Sequence, residues 1–372
     1  LAPLRLGVLA IYMGGSRLEE LAFFKRLSQE GRKIGVQVEV FTPGDVRGES
    51  ARTLTYVPEK GTWMRKLAPL PPIIYDRCRY KAAANYQMLK AFRNRHSKLI
   101  FLSRPLANKW SMHQTLSQST EIKPYLPATV RYTSVPDLLR FLKKHKLIYV
   151  KPKNGTGGRG ILRIEQVGAD RYLLQGRNHS RTIISPFRAN ERQLEIKLHS
   201  LRLSPDYVVQ QGIPLTLRDG RVHDYRLLIQ KNGQGEWEVT GCAGRIGPHR
   251  SITSNLHGGG SAVPQDRLLG YRFSPDKITG IKNEMNNFAH KLADFLEGKF
   301  GKLCELGMDI AVDPKGGVWL LEVNPKPSRE VFRRIGQHGV YQKAVSRPLE
   351  YALWMSKQKK APLSEETKTE SN

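Results

Sequence analysis

Residues 149–165 read "YVKPKNGTGGRGILRIE". Gly155, Gly157 and Gly160 spell G-x-G-x-x-G, the pattern of a dinucleotide-binding turn. Such a turn leaves a strand and enters a helix whose N-terminus holds the pyrophosphate. The residues before the glycines, "LIYVKP" at 147–152, read as a strand. Those after them, "ILRIE" at 161–165, are β-branched and alternating, so they read as a second strand rather than a helix. A glycine-rich loop between two strands is a flap. Its N–H groups can lie over phosphates, because glycine lets the main chain come close. No Gly-Lys-Ser/Thr follows, which removes a Walker A reading. A plain glycine-rich hairpin is the alternative that this stretch leaves open.

Working outward, 372 residues suffice for two or three domains, and 39% hydrophobic content indicates a globular chain. No apolar run is long enough to span a membrane. The opening "LAPLRLGVLAIYMGG" reads as a buried first strand rather than a signal peptide. Cys78, Cys242 and Cys304 are widely spaced and form no C-x-x-C, so neither a disulfide framework nor a zinc site is expected, and a reducing cytoplasm fits. The net charge of +28 implies an anionic partner: nucleotide, nucleic acid, acidic polymer or membrane surface. Residues 60–109 hold twelve Lys/Arg against one acid, with aromatics interleaved. A nucleic-acid surface has this composition, and so does a solvated helix face.

Residues 5–11, a helix over 17–31 and a strand at 36–41 form a β-α-β opening of the open α/β kind. Strands in "PPIIYDR" and at 98–103 complete a first domain at 1–106. Asn108 is an expected helix N-cap. Helices are expected at "VPDLLRFLKKHK" and 190–203, and strands at "YVVQQGI", "HDYRLLIQ" and "EWEVTGCAG". Ser274 caps a long helix with Pro275 in its first turn. Ile278, Ile281, Met285, Phe288, Leu292 and Phe295 line one face of that helix as core. The later domains are placed at 107–206 and 207–356, with a disordered tail at 357–372.

The second informative stretch is "ELGMDIAVDPKGGVWLLEVNPKP", residues 305–327. Two apolar strands flank a turn sequence. If Asp313 pairs with Val318, the loop is 314–317 and Asp309 lies opposite Glu322. Asn324, two residues on, shares that face. Facing carboxylates repel and are costly to desolvate. A cation removes both objections, and few hard oxygens suit Mg²⁺ that takes its other ligands from phosphates and water. A solvent-facing polar strip is the alternative.

These blocks, in this order, resemble the ATP-grasp enzymes, the carboxylate–amine ligases and their relatives. The chain most closely resembles the YheC/YheD branch of endospore coat-associated proteins, over roughly residues 108–353. The resemblance implies an ATP-grasp fold of mixed α/β (α+β) class, preceded by a pre-ATP-grasp α/β domain. It implies ATP and two Mg²⁺ ions. Lys109 in "NKW" and Lys151 in "VKPKNGTGGRG" match the lysines that approach the phosphates, and Lys153 is a candidate to share that role. Gly155, Thr156, Gly157, Gly158 and Gly160 form the flap. Gln210, Gln211, Gly212 and Ile213 match the hinge strand that brackets adenine. Many members carry Glu where Gln211 stands, which leaves backbone recognition intact but not a carboxylate contact. Arg226 in "HDYRLL" matches an arginine that reaches acceptor or phosphate. Arg245, Asn255 and residues 258–260 fall in a segment similar to the N-L-x-x-G-G of ribosomal-protein glutamate ligases. Asp309, Glu322 and Asn324 match the metal triad. His223 and His257 are expected to hydrogen-bond or stand by rather than act as general bases. "NPKPSRE" departs from the Gly that many ligases carry after Asn-x-x-Pro, which points to a different acceptor or product.

The expected activity is ATP- and Mg²⁺-dependent joining of a carboxylate to an amine through an acylphosphate. This transfer needs positioning and charge neutralisation more than a protein nucleophile. Small-molecule or peptide carboxylates and amines are the expected substrates, and an anionic polymer or nucleic acid is a further candidate partner at the basic surface. The competing reading is an ATP-binding spore-coat protein without turnover. A protein-kinase reading fails because Asp-Phe-Gly and His-Arg-Asp are missing. The expected location is cytoplasmic, with spore association implied by the family.

Overall fold

The computed structural model describes residues 2–358 apart from 14, 16, 80–82, 155–158, 179 and 181. It is a mixed α/β protein with three sheets that follow one another in the chain. The first contains β1 (Leu4–Leu9), β2 (Val36–Phe41), β3 (Val46–Arg47), β4 (Ser50–Val57), β5 (Thr62–Pro69), β6 (Ile73–Asp76) and β7 (Ile100–Phe101). The order is β3-β4-β2-β1-β6-β7, with β5 paired to β4. Strands β2, β1, β6 and β7 are parallel, as the β-α-β opening predicts. Their runs are apolar because both faces are covered. Helix α1 (Leu21–Lys33) packs one face through Phe24, Leu27 and Gly31, and α2 (Ala83–Arg95) covers the other through Leu89 and Phe92.

One expectation needs correction here. Helix α1 starts at Leu21, not near 17, because Glu20 sits in the left-handed region at φ 61°. Its carboxylate takes two hydrogen bonds from Arg77, at 2.8 and 3.0 Å. The basic stretch opens with a strand where the sequence reading assigns no element: β5 forms an antiparallel ribbon with β4 from Ser50↔Pro69 to Val57↔Thr62. Several of its cations serve the interior, Arg77 with Glu20 and Glu305, Arg93 with Asp76, and Lys109 with Glu322.

The second sheet contains β8 (Thr129–Arg131), β9 (Leu147–Pro152), β10 (Leu162–Gly168), β11 (Arg171–Arg177), β12 (Ile183–Ala189) and β13 (Tyr207–Gln211), in the antiparallel order β12-β11-β10-β9-β13-β8. Before it lies α3 (Lys109–Leu116), where Asn108 caps by accepting from the Ser111 N–H at 3.0 Å. Helices α4 (Val135–His145) and α5 (Glu191–Ser200) cover one face of this sheet. Ser134 and Asn190 cap them through the N–H groups of Asp137 and Gln193.

The third sheet contains β14 (His223–Lys231), β15 (Trp237–Ile246), β16 (Ser261–Pro264), β17 (Glu305–Val312) and β18 (Val318–Asn324), in the order β16-β15-β14-β17-β18. After the short α6 (Gln265–Gly270), α7 (Pro275–Phe300) lays Ile281, Met285, Phe288 and Leu292 against Tyr225, Leu227, Met308 and Ile310. The helical stripe is core, as its spacing predicts. Ser274 stands at the N-cap but its side chain makes no capping bond, so Pro275 starts the helix unaided. A short α8 (Glu330–Arg334) leads to α9 (His338–Gln358), which returns to pack on α1 and the first sheet. Of the expected tail, 357 and 358 are helical, and 359–372 lie outside the described residues. Among the described residues no helix is long and apolar enough to cross a membrane.

Candidate active site

Because α7 takes the Met308–Ile310–Val312 face of the third sheet, the alternate residues face the other way. The register of β17 and β18 differs from expectation by one place at the turn: Val312, not Asp313, pairs with Val318. Asp313 is instead the hub of the turn, accepting from the N–H groups of Lys315 and Gly317 and from Trp319 Nε1, at 2.8 to 2.9 Å. A bulge between Asp309 and Ile310 absorbs one extra residue on β18 and cancels the offset. Asp309 therefore does face Glu322, and Asn324 follows opposite Gly307. Gly307 must lack a side chain, since a Cβ there would stand 2.6 Å from Pro327.

Cations crowd this face. On β14, Arg226 pairs with Asp309 across the ladder and donates from Nε to its Oδ1 at 2.6 Å. On β15, Arg245 grips Asp224 with two bonds, of 2.6 and 2.7 Å, and reaches Asp309 Oδ2 at 3.0 Å. The buried chain Asp224–Arg245–Asp309–Arg226 alternates in sign and sums to zero, which is what makes its desolvation tolerable. Burial alone would raise the Asp309 carboxyl, but Arg226 and Arg245 outweigh it and hold Asp309 well below the usual carboxylate range. From α3, the Lys109 ammonium reaches Glu322 Oε1 at 3.0 Å. From β9, Lys151 donates to Gln210 Oε1 at 2.7 Å. Burial pushes Lys151 down to about 8, an effect that Glu322 opposes and Lys109 reinforces.

The hinge residues behave as a strand end. Gln210 passes the Lys151 contact on to Thr129 Oγ1 at 3.1 Å. Gln211 ties β13 to the chain before β8, through its N–H to Ala128 O at 2.7 Å and its amide oxygen to Ala128 N at 3.2 Å. Ile213 is buried with Leu215 and Ala311. A Cβ on Gly212 would stand 2.3 Å from Leu147 Cγ and 3.1 Å from Leu147 O. Gly212→Val is therefore expected to lower folding stability by about 1–3 kcal/mol, the usual overpacking cost, read as a fall in the denaturation midpoint.

Other expected residues stand elsewhere. Lys153 turns away to Asp206 at 2.5 Å, held there because its N–H and C=O are fixed by Asp206 O and Lys109 N. Gly155, Thr156, Gly157 and Gly158 lie outside the described residues. Gly160, at φ 62°, closes the base of the flap by donating to Asn178 O at 3.1 Å. Asn255 precedes a tight turn and accepts from the N–H groups of Gly258 and Gly260 through its backbone oxygen. His223 is neutral near pH 7: burial, then Arg272, pushes it down to about 4, and its Nδ1 lies 2.7 Å from Leu215 O. The departure at "NPKPSRE" has a structural use. Lys326 donates to Asp76 and to Cys78 O, and Arg329 donates to the Tyr75 hydroxyl at 2.7 Å while pairing with Glu305 of β17, so both fasten this segment to the first sheet.

Two residues were not foreseen. Asp224 orients Arg245, and the alternation of "HDYR" signals it, since Asp224 and Arg226 share a face. Arg177, at the end of β11, donates to Ser251 Oγ at 3.0 Å and to Gly258 O at 3.4 Å. A Cβ on Gly258 would stand 2.5 Å from Arg177 Nη1, so this glycine marks the approach of an arginine.

Among the described residues, no three of His, Cys, Asp and Glu gather as a metal cluster. The candidate set is two carboxylates and an amide. A carboxylate offers about four lone-pair sites, so guanidinium contacts do not exhaust Asp309. Hard oxygens in this number suit Mg²⁺ sharing its shell with phosphate and water.

A family model described as YheC/D like ATP-grasp matches residues 98–355. The endospore coat-associated protein YheD of Bacillus subtilis (strain 168) is 26% identical over 340 residues, which is 90% of this chain and 74% of YheD. YheC of the same organism is 26% identical over 333 residues, 87% of this chain and 90% of YheC. A solved structure of the ATP-grasp ligase PsnB, complexed with a phosphomimetic variant of its minimal precursor, Mg and ADP, superposes with a TM-score of 0.53 at 14% identity, covering 96% of this chain and 99% of that one. The fold is the ATP-grasp fold.

Proposed function

Since this chain belongs to the YheC/D-like ATP-grasp family, we propose that it is an ATP- and Mg²⁺-dependent ligase that joins a carboxylate to an amine through an acylphosphate. The observation that carries this reading is the facing pair Asp309 and Glu322, met by Arg226, Arg245, Lys109 and Lys151 from four other elements. That is the charge pattern of a site for a polyphosphate and its cation. Asp309, Glu322 and Asn324 would hold Mg²⁺, which when bound supplies charge neutralisation at the transferring phosphoryl group. Lys151 and Lys109 would bind phosphate oxygens, and Gln210 aims the Lys151 ammonium. The stretch 210–213 would line the adenine. Arg226 and Arg245 would orient the carboxylate for in-line attack on the γ-phosphorus. Asn255 would stand over the acyl group from the loop that Arg177 supports. The +28 charge favours acidic substrates.

The test is ADP release with Mg-ATP and pools of amino acids and peptides. Release that needs both an added carboxylate and an amine, with a hydroxamate forming when hydroxylamine replaces the amine, supports the ligase. Tight nucleotide binding without ADP under every pool would replace it with the non-catalytic spore-coat reading.

A pH dependence follows from Lys151. Its folded value of about 8 lies below the unfolded one of about 10.4. Between the two, the unfolded chain holds the proton and the folded one does not, so this group makes the free protein more stable as pH rises. Phosphate binding runs the other way, because it needs the ammonium. ATP affinity is expected to fall about tenfold per pH unit above about 8, and Lys151→Arg should flatten that limb in a calorimetric titration.

A further inference from the structure

The second sheet ends on β8, whose ladder partner is β13. Tyr132 N bonds to Tyr207 O, and Gln211 N to Ala128 O, so 128, 130 and 132 are the residues that bond inward. In an antiparallel pair the alternate residues turn N–H and C=O outward. The backbones of Thr129, Arg131 and Thr133 therefore face an edge on which no further strand pairs among the described residues, a template for another extended chain.

Beside that edge, α4 and β8 enclose a cleft of about 500 Å³. Its walls are apolar: Val130, Tyr132, Leu138, Phe141 and Val209. Val130 is 40% exposed, although its ladder partner Val209 is 1% exposed. The rim is basic, with Arg131, Arg140 and Lys144 against one acid, Asp137, which is ion-paired to Arg140. Val209 packs under α4, whereas its neighbours Gln210 and Lys151 bond to each other on the opposite face of the sheet. The cleft is thus on the far side of the sheet from the candidate phosphate lysine.

We propose that this cleft binds an extended segment of a partner protein in which acidic and apolar residues alternate, added as a strand to β8. A strand added about 4.8 Å from β8 sets every second side chain on the α4 face, beside Val130 and Phe141. Its carboxylates meet the basic rim. A second copy of this chain is a poor occupant: edge-to-edge pairing would bring the Arg131, Arg140 and Lys144 of both copies together, each copy carrying +28. Nucleic acid would use the rim and leave the apolar walls and outward N–H groups unanswered.

The probe is a fluorescein-labelled peptide alternating Glu and Val, read by anisotropy with the full chain at physiological salt. Binding is expected, a Lys/Val peptide should not bind, and amide exchange at 129 and 131 should slow in the complex. Val130→Glu and Lys144→Gln should each weaken binding by about tenfold or more, with ATP affinity unchanged. Lys144→Gln, at an exposed helix position, keeps the test available should Val130→Glu lower the melting temperature. No binding, equal binding of a Glu/Gly peptide, displacement by an oligonucleotide, or binding without slowed exchange at 129 and 131 would each overturn the proposal. So would a dimer that Val130→Glu dissociates, since the occupant would then be a second copy.

Discussion

Glu322→Gln is expected to reduce Mg²⁺-dependent ADP formation by about 10²–10³-fold, the range found when one charge-stabilising group is removed from a phosphoryl- or acyl-transfer site. The substitution keeps the size of the side chain and one oxygen, so the loss comes from charge. Two consequences separate it from a folding defect. First, the Mg²⁺ concentration for half-saturation should rise about 10–100-fold, as for a lost metal contact, so that part of the rate returns at high Mg²⁺. Second, the free protein should melt no lower than wild type. Glu322 is 34% exposed, faces Asp309 in the ladder and is opposed there by Lys109 alone among the described ion pairs. Removing one of two facing carboxylates relieves a repulsion. An unchanged rate with unchanged Mg²⁺ dependence would sink the metal assignment and the ligase reading with it.

How far the sequence is legible depends on the range of the interactions. Strands β2 and β9 end where their patterns end, and Asn108 caps α3 as expected, because local chemistry decides these features. The β4–β5 ribbon was not legible. Strand β5, "TWMRKLAP", is exposed along most of its length, so burial imposes no alternation on it. The start of α1 was missed because Glu20 answers to Arg77, 57 residues away. The facing of Asp309 and Glu322 was reached by a count that omits two features, a turn shifted by one residue and a bulge that restores it. Turn chemistry alone reveals neither. The positions of Arg226 and Arg245 could be matched to a family, but their grip on Asp309 depends on β14 lying beside both β15 and β17, which is a property of sheet order. Lys153 shows the converse. Alternation allows it to share the work of Lys151, and an exposed Asp206 takes it elsewhere.

Glu305→Gln is expected to cost about 3–5 kcal/mol of stability, the penalty for breaking a buried ion network from one side. Glu305 is at the far end of β17 from the turn and is fully buried. One oxygen accepts from Tyr75 at 2.5 Å and Arg77 at 2.8 Å, and the other from Gln230 at 3.0 Å and from Arg329. Arg77 and Tyr75 belong to the end of the first sheet, and Arg329 to the segment that follows Asn324. The carboxylate is therefore the joint between the first and third sheets. With an amide in its place, two buried guanidiniums keep, among the described ion pairs, only Glu20 to balance them, and Arg79 shares that carboxylate. Chemical denaturation should show the midpoint fall and the two sheets cease to unfold together, whereas Glu59→Gln, at a solvent-exposed pair with Arg32, should leave the curve unmoved. Replacing the three central charges, with Glu305→Leu, Arg77→Met and Arg329→Met, should recover only part of the loss. The desolvation cost of those three charges disappears in that variant, but Glu20 loses Arg77 and keeps Arg79, and Pro327 O and Ala344 O lose the guanidinium donors that satisfy them here. The same carbonyls hold the chain just past Asn324, so Mg²⁺ affinity should weaken in every variant that loses Arg329, whether or not its stability returns. A loss below about 1 kcal/mol for Glu305→Gln would mean that water, rather than the arginines, sets the energy of this joint.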